Sequence, residues 1–287
     1  APPSDYDIIG SAADNTGLHA LRGVDAFDFL CIPPPTRDTD VGPSALMVAA
    51  RLCRERRAML VVDPPAAWTT AGEALEAMHE WPFASQNAVM YFPRLVAYDR
   101  LRGRYETFAP SGAVAGMLAR IDEAWPVWSP AEGEEALLRP GYRPVCPISE
   151  HDRARLAQAG INTLQAGRST VRLGLSPRTL SGSAAESPDW KYLSARRLAL
   201  FIVNSIERGT RWVLFEHNGP DLWRRVRARV EEFLSGLEAG GATPAPLPHA
   251  HGAPHGRHAR RRGVAGHHQA LQLMGLERGR GGRTRRP

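Results

Sequence analysis

The chain has 287 residues, of which 43% are hydrophobic, and this is enough for one large domain or two modest ones with a buried core. Its formal net charge of +6 is unevenly placed, because nine arginines and one acid follow residue 242 and leave the preceding body at −2. The charge of the body therefore gives no electrostatic support to a nucleic-acid function, and we expect no specific nucleic-acid partner.

The cysteine pattern and the hydropathy restrict the class of protein further. Cys31, Cys53 and Cys146 are an odd number with no C-x-x-C spacing, which favours reduced thiols over a disulfide framework or a zinc site. The longest apolar runs, such as residues 198–203, are far too short to cross a bilayer. We therefore expect a soluble protein without membrane insertion and with no secretion signal.

The N-terminal half shows strand and helix signals in alternation. The polar opening, residues 1–21, is expected to be a linker or an incomplete edge element. Strands are predicted over residues 27–32, 58–62 and 88–92. Helices are predicted between them, one beginning near Pro43 and one capped by Thr69 or Thr70 and running through Met78. This alternation predicts an α/β fold with a parallel-type sheet and flanking helices.

The middle of the chain begins with a predicted hairpin. Residues 98–108 should turn at Gly103, and residues 109–120 should form a helix whose small residues let its backbone approach a sheet closely. Ser111 is expected to be the N-cap of that helix. A short helix after Ile148 and a strand over residues 170–175 are also predicted.

Residues 189–237 are predicted to form a helix, a strand and a second helix. Gly209 should end the first helix in a left-handed conformation, and the β-branched and aromatic residues 210–216 should form a buried strand. Asn218 should cap the next helix. The apolar face of that helix consists of Leu222, Val226, Val230, Phe233 and Leu237. The charges here are mostly arginines on helix faces, and nothing in the segment indicates catalysis.

The last segment, residues 243–287, is rich in histidine, arginine, glycine and proline and is predicted to be disordered. The run His249, His251, His255 and His258 could bind a transition metal, but its spacing fits no structural zinc pattern. A low-complexity run is the favoured interpretation. The arginines of this tail would attract anions without sequence preference.

A serine-protease hypothesis also has a basis in the sequence, since Asp63, His79 and Ser111 follow the order of subtilisin-type enzymes. However, the glycine-framed surroundings of such a nucleophile are absent. A helix histidine accounts for His79, and a helix cap accounts for Ser111. We therefore expect no catalytic residues, no cofactor and no metal site, and we predict that the protein is not an enzyme.

A set of motifs carries a resemblance to a known family. The segment from Trp190 to Trp223, with its W-K-Y, R-R, G-T-x-W and F-E patterns, resembles the C-terminal domain of contractile-tail sheath proteins of tailed phages, pyocin-like particles and related injection systems. A P-S-G-x-V-A-G-x-x-A-R motif at residues 110–120 extends the resemblance, which covers residues 24–243. The candidate assembly residues are Pro110, Ser111, Gly112, Gly116, Arg120, Trp190, Tyr192, Arg196, Arg197, Gly209, Thr210, Trp212, Phe215, Glu216 and Trp223.

The resemblance implies an architecture of three parts. Residues 1–145 would form a subtilisin-like α/β sheath domain, residues 146–242 a smaller α+β C-terminal sheath domain, and residues 243–287 a disordered tail. It also implies a structural function, in which identical subunits assemble helically around an inner tail tube and contract to drive it through a target envelope. The implied partners are further sheath subunits, a tail tube protein and baseplate components. The implied location is the cytoplasm during assembly and then the tail of a virion or phage-tail-like particle.

Both ends of the chain depart from the family pattern, because neither the N-terminal arm nor the C-terminal strands are recognisable. We therefore expect weak or absent polymerisation by this chain alone, and we hypothesise that the tail is an out-of-frame sequence. Two alternatives stay open: a hydrolase on a subtilisin-like α/β scaffold, and a non-assembling sheath remnant with an anion-binding basic tail.

Overall fold

A computed structural model describes residues 2–130, 133–167, 170–181 and 188–242. The described residues divide into two compact units, the first within residues 2–123 and 127–200 and the second within residues 124–126 and 201–242. The tail from residue 243, predicted to be disordered, lies outside the described residues.

Seven α-helices and eight strands are present among the described residues. The helices are α1 (Asp5–Ile9), α2 (Pro43–Arg56), α3 (Ala71–Ala77), α4 (Ser111–Ala124), α5 (Glu150–Gln158), α6 (Leu193–Gly209) and α7 (Pro220–Ala239). The strands are β1 (Phe29–Cys31), β2 (Met59–Val62), β3 (Ala88–Phe92), β4 (Leu95–Asp99), β5 (Arg104–Phe108), β6 (Arg143–Pro144), β7 (Ile161–Ala166) and β8 (Val171–Leu173). Short 3-10 segments lie at Gly17–Gly23, Met78–Glu80, Glu134–Ala136, Pro188–Lys191 and Arg211–Phe215.

The main sheet has the strand order β1-β2-β3-β7-β8. The first three pairings are parallel, and β8 runs antiparallel to β7. The predicted α/β fold with a mostly parallel sheet and flanking helices is confirmed. Ile161 of β7 lies opposite Met90 of β3, so this sheet draws on both sides of the domain boundary predicted at residue 145. That boundary stays a prediction.

The core of the first unit lies against both faces of this sheet. Every residue of β2 and β3 is buried, as expected for continuous apolar strands covered on two sides. Leu60 and Met90 belong to one cluster with Leu46 of α2, Ala74 of α3 and Leu156 of α5. Alternate residues of these strands point to the opposite face of the sheet. On that face Arg197, near the beginning of α6, contacts Phe29 of β1 and Asp122 of α4.

A second sheet of three antiparallel strands, in the order β5-β4-β6, follows directly after β3. The predicted hairpin is confirmed, and its turn contains Gly103 at φ +65°, a conformation that glycine adopts without steric cost. Tyr98 lies opposite Tyr105 across the two long strands. Their rings meet edge to face, with centroids 5.5 Å apart.

The prediction of a linker at the start of the chain is wrong. Ser4 and Asp7 form a capping box at the beginning of α1, and this S-x-x-D signal was present in the sequence. The carboxylate of Asp5 accepts hydrogen bonds from the N–H groups of Gly42 (2.8 Å) and Ala45 (3.2 Å). Asp5 therefore caps the N-terminus of α2, where the sequence itself offers a glycine without a capping side chain.

Candidate functional site

Ser111 is the first residue of α4, and its partner is Asp63 at the carboxyl end of β2. The two oxygens of Asp63 accept hydrogen bonds from the Ser111 N–H (2.7 Å) and the Ser111 hydroxyl (2.6 Å). The expected N-cap role of Ser111 is thus wrong: the capping carboxylate comes from another loop, and Pro110 precedes the helix. Burial raises the pKa of Asp63, while the hydrogen bonds from Ser111 oppose that shift.

These contacts give no support to the protease hypothesis. Ser111 is 3% exposed, so a substrate carbonyl cannot reach its hydroxyl without rearrangement. Among the described residues its hydroxyl bonds to Asp63 rather than to a histidine, so the base that a serine nucleophile requires is missing. His79 lies on an exposed 3-10 turn, Met78–Glu80. The Ser111–Asp63 contact fixes the start of a helix.

The other motif residues of α4 have separate roles. Gly112 and Gly116 are exposed, and a Cβ at either would meet no atom within 4 Å. The expectation that these small residues approach a sheet is therefore wrong, because the buried face of α4 consists of Val114, Met117, Leu118 and Ile121. Arg120 donates hydrogen bonds to the carbonyl oxygens of Glu135 (2.6 Å from Nη2) and Leu137, which ties the following loop to α4.

Arg196 anchors α6 to the main sheet. Its Nη2 donates a 2.7 Å hydrogen bond to Oδ1 of Asn87, which is fully buried and donates in turn to the Ala58 carbonyl (2.8 Å). The guanidinium also lies 5.3 Å from the ring centroid of Trp190, within the range of a cation–π contact. Burial lowers the pKa of Arg196. This arginine was expected on a solvated helix face, because helical spacing alone does not identify a partner that lies opposite.

Arg197 forms the second anchor. It pairs with Asp122 of α4 and lies over the ring of Phe29, 4.9 Å from its centroid. Burial raises the pKa of Asp122, and the ion pair with Arg197 opposes that shift. The R-R motif thus joins α6 to β3 through one arginine and to α4 and β1 through the other.

Trp190 and Tyr192 hold the segment that precedes α6. The Trp190 carbonyl accepts a 2.8 Å hydrogen bond from the Thr179 hydroxyl, and Tyr192 forms a bridge with Arg178, whose guanidinium lies 5.7 Å from the tyrosine ring. Arg178, Thr179 and Leu180 form an R-T-L motif that also matches the sheath family pattern. The R-T-L residues Arg178 and Thr179 therefore contact Tyr192 and Trp190 of the W-K-Y motif within the first unit.

The strand predicted over residues 210–216 is wrong. Arg211–Phe215 is a 3-10 segment, Gly209 is the last residue of α6 without a left-handed conformation, and Thr210 bonds back to the Ile206 carbonyl through both its N–H (2.9 Å) and its hydroxyl (2.7 Å). A strand needs a neighbouring strand to pair with its backbone N–H and C=O groups. No described strand lies beside residues 210–216. The cap predicted at Asn218 lies instead at Gly219.

The 3-10 segment leaves large apolar side chains in solvent. Leu214 is 82% exposed, Phe215 is 90% exposed, and Trp223 of α7 is 62% exposed. Polar contacts hold the surrounding backbone: the Trp223 indole donates to Asn218 (2.8 Å), and Arg225 pairs with Glu216 (3.2 Å) while lying 4.8 Å from the Trp212 ring centroid. We call Leu214, Phe215 and Trp223 the apolar tip. Large exposed apolar side chains that adjoin one another, as Leu214 and Phe215 do in sequence, are typical of an interaction site.

Comparison with known proteins identifies the architecture. No family model and no curated protein matches this sequence. Among solved structures, the contracted sheath complex of an extracellular contractile injection system, PVC, is similar with a TM-score of 0.63 and 23% identity over 79% of this chain. The contracted helical sheath of the anti-feeding prophage gives 0.56 and 21% over 84%. The sheath tail protein of Desulfitobacterium hafniense gives 0.50 and 18% over 80%.

The chain has the fold of a contractile sheath protein. The resemblance read from the sequence motifs is thereby confirmed at the level of fold. The chain spans 60%, 63% and 50% of the lengths of these three sheath proteins.

Within this sheath fold the motif residues fall into two groups. Ser111, Arg120, Arg196 and Arg197 make internal contacts in the first unit, whereas Phe215 and Trp223 face solvent. Asn87 and Asp122, the partners of the two arginines, were not among the residues predicted from the sequence. For Asn87 the available signal was a single polar residue directly before a buried strand. For Asp122 the sequence contains no comparable signal.

Concave regions of the described sheath fold include an open groove of about 340 Å³, lined by Glu150, Arg153 and Arg172 among others. A cavity of about 30 Å³, lined by Asp40, Asp63 and Trp81 among others, has room for about one water molecule. The described residues contain no group of three or more His, Cys, Asp or Glu placed to hold a metal ion, and the tail histidines lie outside them. No described helix is both long and apolar enough to span a bilayer. Burial raises the pKa of Cys31 to about 11 and that of Cys53 to about 12, so both are poor nucleophiles.

Proposed function

We propose that this protein is a structural subunit of a contractile sheath, assembling with further copies into a helical tube around an inner tail tube and contracting to drive that tube through a target envelope. The observation that carries the proposal is the sheath fold, shared with subunits of contracted injection-system sheaths. The proposed partners are other sheath subunits, a tail tube protein and baseplate components, first in the cytoplasm and then in a tail-like particle. The protein acts without catalysis and without a cofactor.

The apolar tip supports an assembly role. At 82% and 90% exposure, Leu214 and Phe215 pack little against the described residues, yet they belong to the segment that carries the strongest sequence resemblance. Removing such side chains from water gains about 25 cal/mol per Å² of apolar area, and a neighbouring subunit can supply that burial. The tip is therefore an assembly contact, with Trp223 at its border.

The motif residues with internal contacts support the same function differently. Contraction exchanges one set of subunit contacts for another, so the body that carries those contacts has to keep its shape. The Arg196–Asn87 and Arg197–Asp122 contacts fasten the start of α6 to the sheet and to α4. In this proposal residues 1–145 and 146–242 correspond to the two sheath domains, and Arg196 and Arg197 bind the second to the first.

Sedimentation velocity over a concentration series, with negative-stain electron microscopy of the same samples, tests the proposal. We expect weak, concentration-dependent association into a series of oligomers rather than a single closed dimer, because heterologous contacts add subunits without closing. A chain that stays monomeric at every concentration would contradict it, so only the weak form of the weak or absent polymerisation expected from the sequence agrees with the proposal.

A serine-reactive fluorophosphonate probe tests the hydrolase alternative on the same material. Labelling of wild-type protein that Ser111→Ala abolishes would support that alternative, which the burial of Ser111 and its Asp63 contact disfavour.

A further inference from the structure

The outer face of the small sheet is a second exposed surface, distinct from the apolar tip. Tyr98 and Tyr105, paired across β4 and β5, are 53% and 64% exposed. Leu101, in the turn between these strands, is 98% exposed. Arg143 of β6 lies 5.5 Å from the Tyr105 ring centroid. Tyrosines on a fixed backbone are frequent binding anchors because they bury much area and lose little conformational entropy.

Ionic contacts on the inner side hold this hairpin in place. Arg37 donates to Glu106 (2.8 Å) and to Asp99 (2.8 Å), and its guanidinium lies 3.7 Å from the Phe108 ring centroid. The hydrogen bond from Arg104, with further bonds from Arg102 and Arg37, lowers the pKa of Glu106 to about 2. Glu106 therefore stays ionised, and the outer face is presented on a rigid hairpin.

The charge of the outer face is positive. Arg100 and Arg143 are exposed, and neither has an acidic partner within the part of the chain that the structure describes. We call Tyr98, Arg100, Leu101, Tyr105 and Arg143 the hairpin patch. Its combination of aromatic area and unpaired cations fits an acidic surface on a partner.

An acidic surface of this kind lies around the C-terminal turn of α4. Asp28 and Glu123 are exposed, and both lie next to Asp122. Burial raises the pKa of Asp122, and the nearby Asp28 carboxylate raises it further. Glu134 is also exposed and directly precedes Glu135. The Glu135 carbonyl accepts a hydrogen bond from Arg120, which lies about one helical turn before Glu123 in α4. None of the three has an ion pair among the described residues. We call Asp28, Glu123 and Glu134 the acidic patch.

The two patches lie at opposite edges of the main sheet. β4 begins just after the carboxyl end of β3, and Arg94 between them donates to the carbonyl after β2 at Pro64. α4 begins beside Asp63 at that same edge and runs about 21 Å, the length of a 14-residue helix, to the amino edge, where Asp28 precedes β1. The patches of one copy therefore suit two different neighbours.

We propose that the hairpin patch of one copy docks on the acidic patch of a second copy. This contact rests on the proposed sheath function and names two of its contact surfaces. Because the two surfaces differ, the contact is heterologous and repeats from copy to copy without closing. Tyr98 and Tyr105 supply the buried area, while Arg100 and Arg143 select the acidic partner.

Charge exchange on the full chain tests the contact. Arg100→Glu/Arg143→Glu and, separately, Asp28→Arg/Glu123→Arg should each weaken self-association by about tenfold or more in sedimentation velocity, since like charges then face each other. The variant carrying all four changes should recover wild-type association, because the attraction is restored with its sign inverted. Arg22→Glu/Arg54→Glu, a matched reversal at two exposed arginines outside both patches, should associate like wild type. Urea midpoints confirm that each variant is folded.

Three results would overturn the contact. If either patch reversal leaves association unchanged, or if the fourfold variant is no better than the double variants, the patches do not meet. If every variant still associates in these cases, the proposed sheath function is not contradicted. A wild-type chain that never associates overturns the contact and the sheath function together.

Discussion

Arg197 of α6 pairs with Asp122 of α4, 75 positions earlier in the chain, and the two side chains are 10% and 22% exposed. This ion pair lies on the face of the main sheet where Arg197 also covers Phe29. It is the most buried arginine–carboxylate pair that joins two helices among the described residues. Its value to the fold is best measured by removing one partner at a time.

We expect Arg197→Ala to lower the free energy of unfolding by about 3 kcal/mol, because a largely buried carboxylate loses its counter-charge. Urea titration with tryptophan fluorescence measures the change. Arg22→Ala, at an exposed arginine, should cost under about 0.5 kcal/mol. Equal effects of the two variants would show that the Asp122 pair contributes nothing. Arg197→Ala/Asp122→Leu should recover part of the loss, since the unpaired charge is then gone.

The Glu106 cluster makes a definite prediction for acid. The folded-state pKa is lowered from 4.5 to about 2, so the contribution of Glu106 is complete above its ordinary pKa and disappears as the pH falls toward 2. Glu106→Gln lacks this contribution at every pH. The difference between the urea midpoints of wild type and Glu106→Gln should therefore be largest near neutral pH and shrink below about pH 4.5. A difference independent of pH would refute the assignment, and Glu76→Gln, at an exposed glutamate, provides the control.

Leu214→Ser/Phe215→Ser should separate assembly from folding. Both side chains are almost fully exposed, so we expect the free energy of unfolding from urea titration to stay within about 0.5 kcal/mol of wild type. Self-association measured by sedimentation velocity should fall, since the apolar area that a neighbour would bury is gone. Phe233→Ala is the opposite control, because Phe233 is 1% exposed and its truncation should cost about 3 kcal/mol. Unchanged association of the serine variant would remove the apolar tip from the assembly contact.

Ser111→Ala should behave as a structural variant. The loss of its 2.6 Å hydrogen bond to Asp63 should cost about 1–3 kcal/mol in urea titration, since a partly buried carboxylate loses a donor. Ser111→Thr, which keeps the hydroxyl, should recover some of that stability if the added methyl group fits. Wild-type stability in Ser111→Ala would contradict the assigned role at the start of α4.

The elements that the sequence predicted well are those whose signals are local. The strand predicted over residues 88–92 coincides with β3, because a short apolar run bounded by Asn87 and Pro93 is typical of a strand buried on both faces. Thr70 caps α3 through a capping box with Glu73, as one of the two predicted threonines should. The hairpin turn at Gly103 likewise depends on nearby residues.

The predictions that failed depend on partners distant in sequence. Residues 210–216 have the composition of a strand, but composition cannot supply the neighbouring strand that backbone hydrogen bonding requires. The cap of α4 comes from Asp63, 48 positions earlier, and the cap of α2 comes from Asp5. The buried pairing of Arg196 with Asn87 was invisible for the same reason, since helical spacing places a side chain on a face without naming what lies opposite.

Lys191, the single lysine in the sequence, closes the 3-10 segment before α6, next to Trp190 and five positions before Arg196. An amine-reactive dye therefore has one lysine side chain to modify, and that site adjoins the indole against which Arg196 stacks. Excited dyes commonly lose their emission to a neighbouring indole, so the brightness of such a conjugate depends on where Trp190 lies. The chain thus provides its own optical gauge of the α6 anchor.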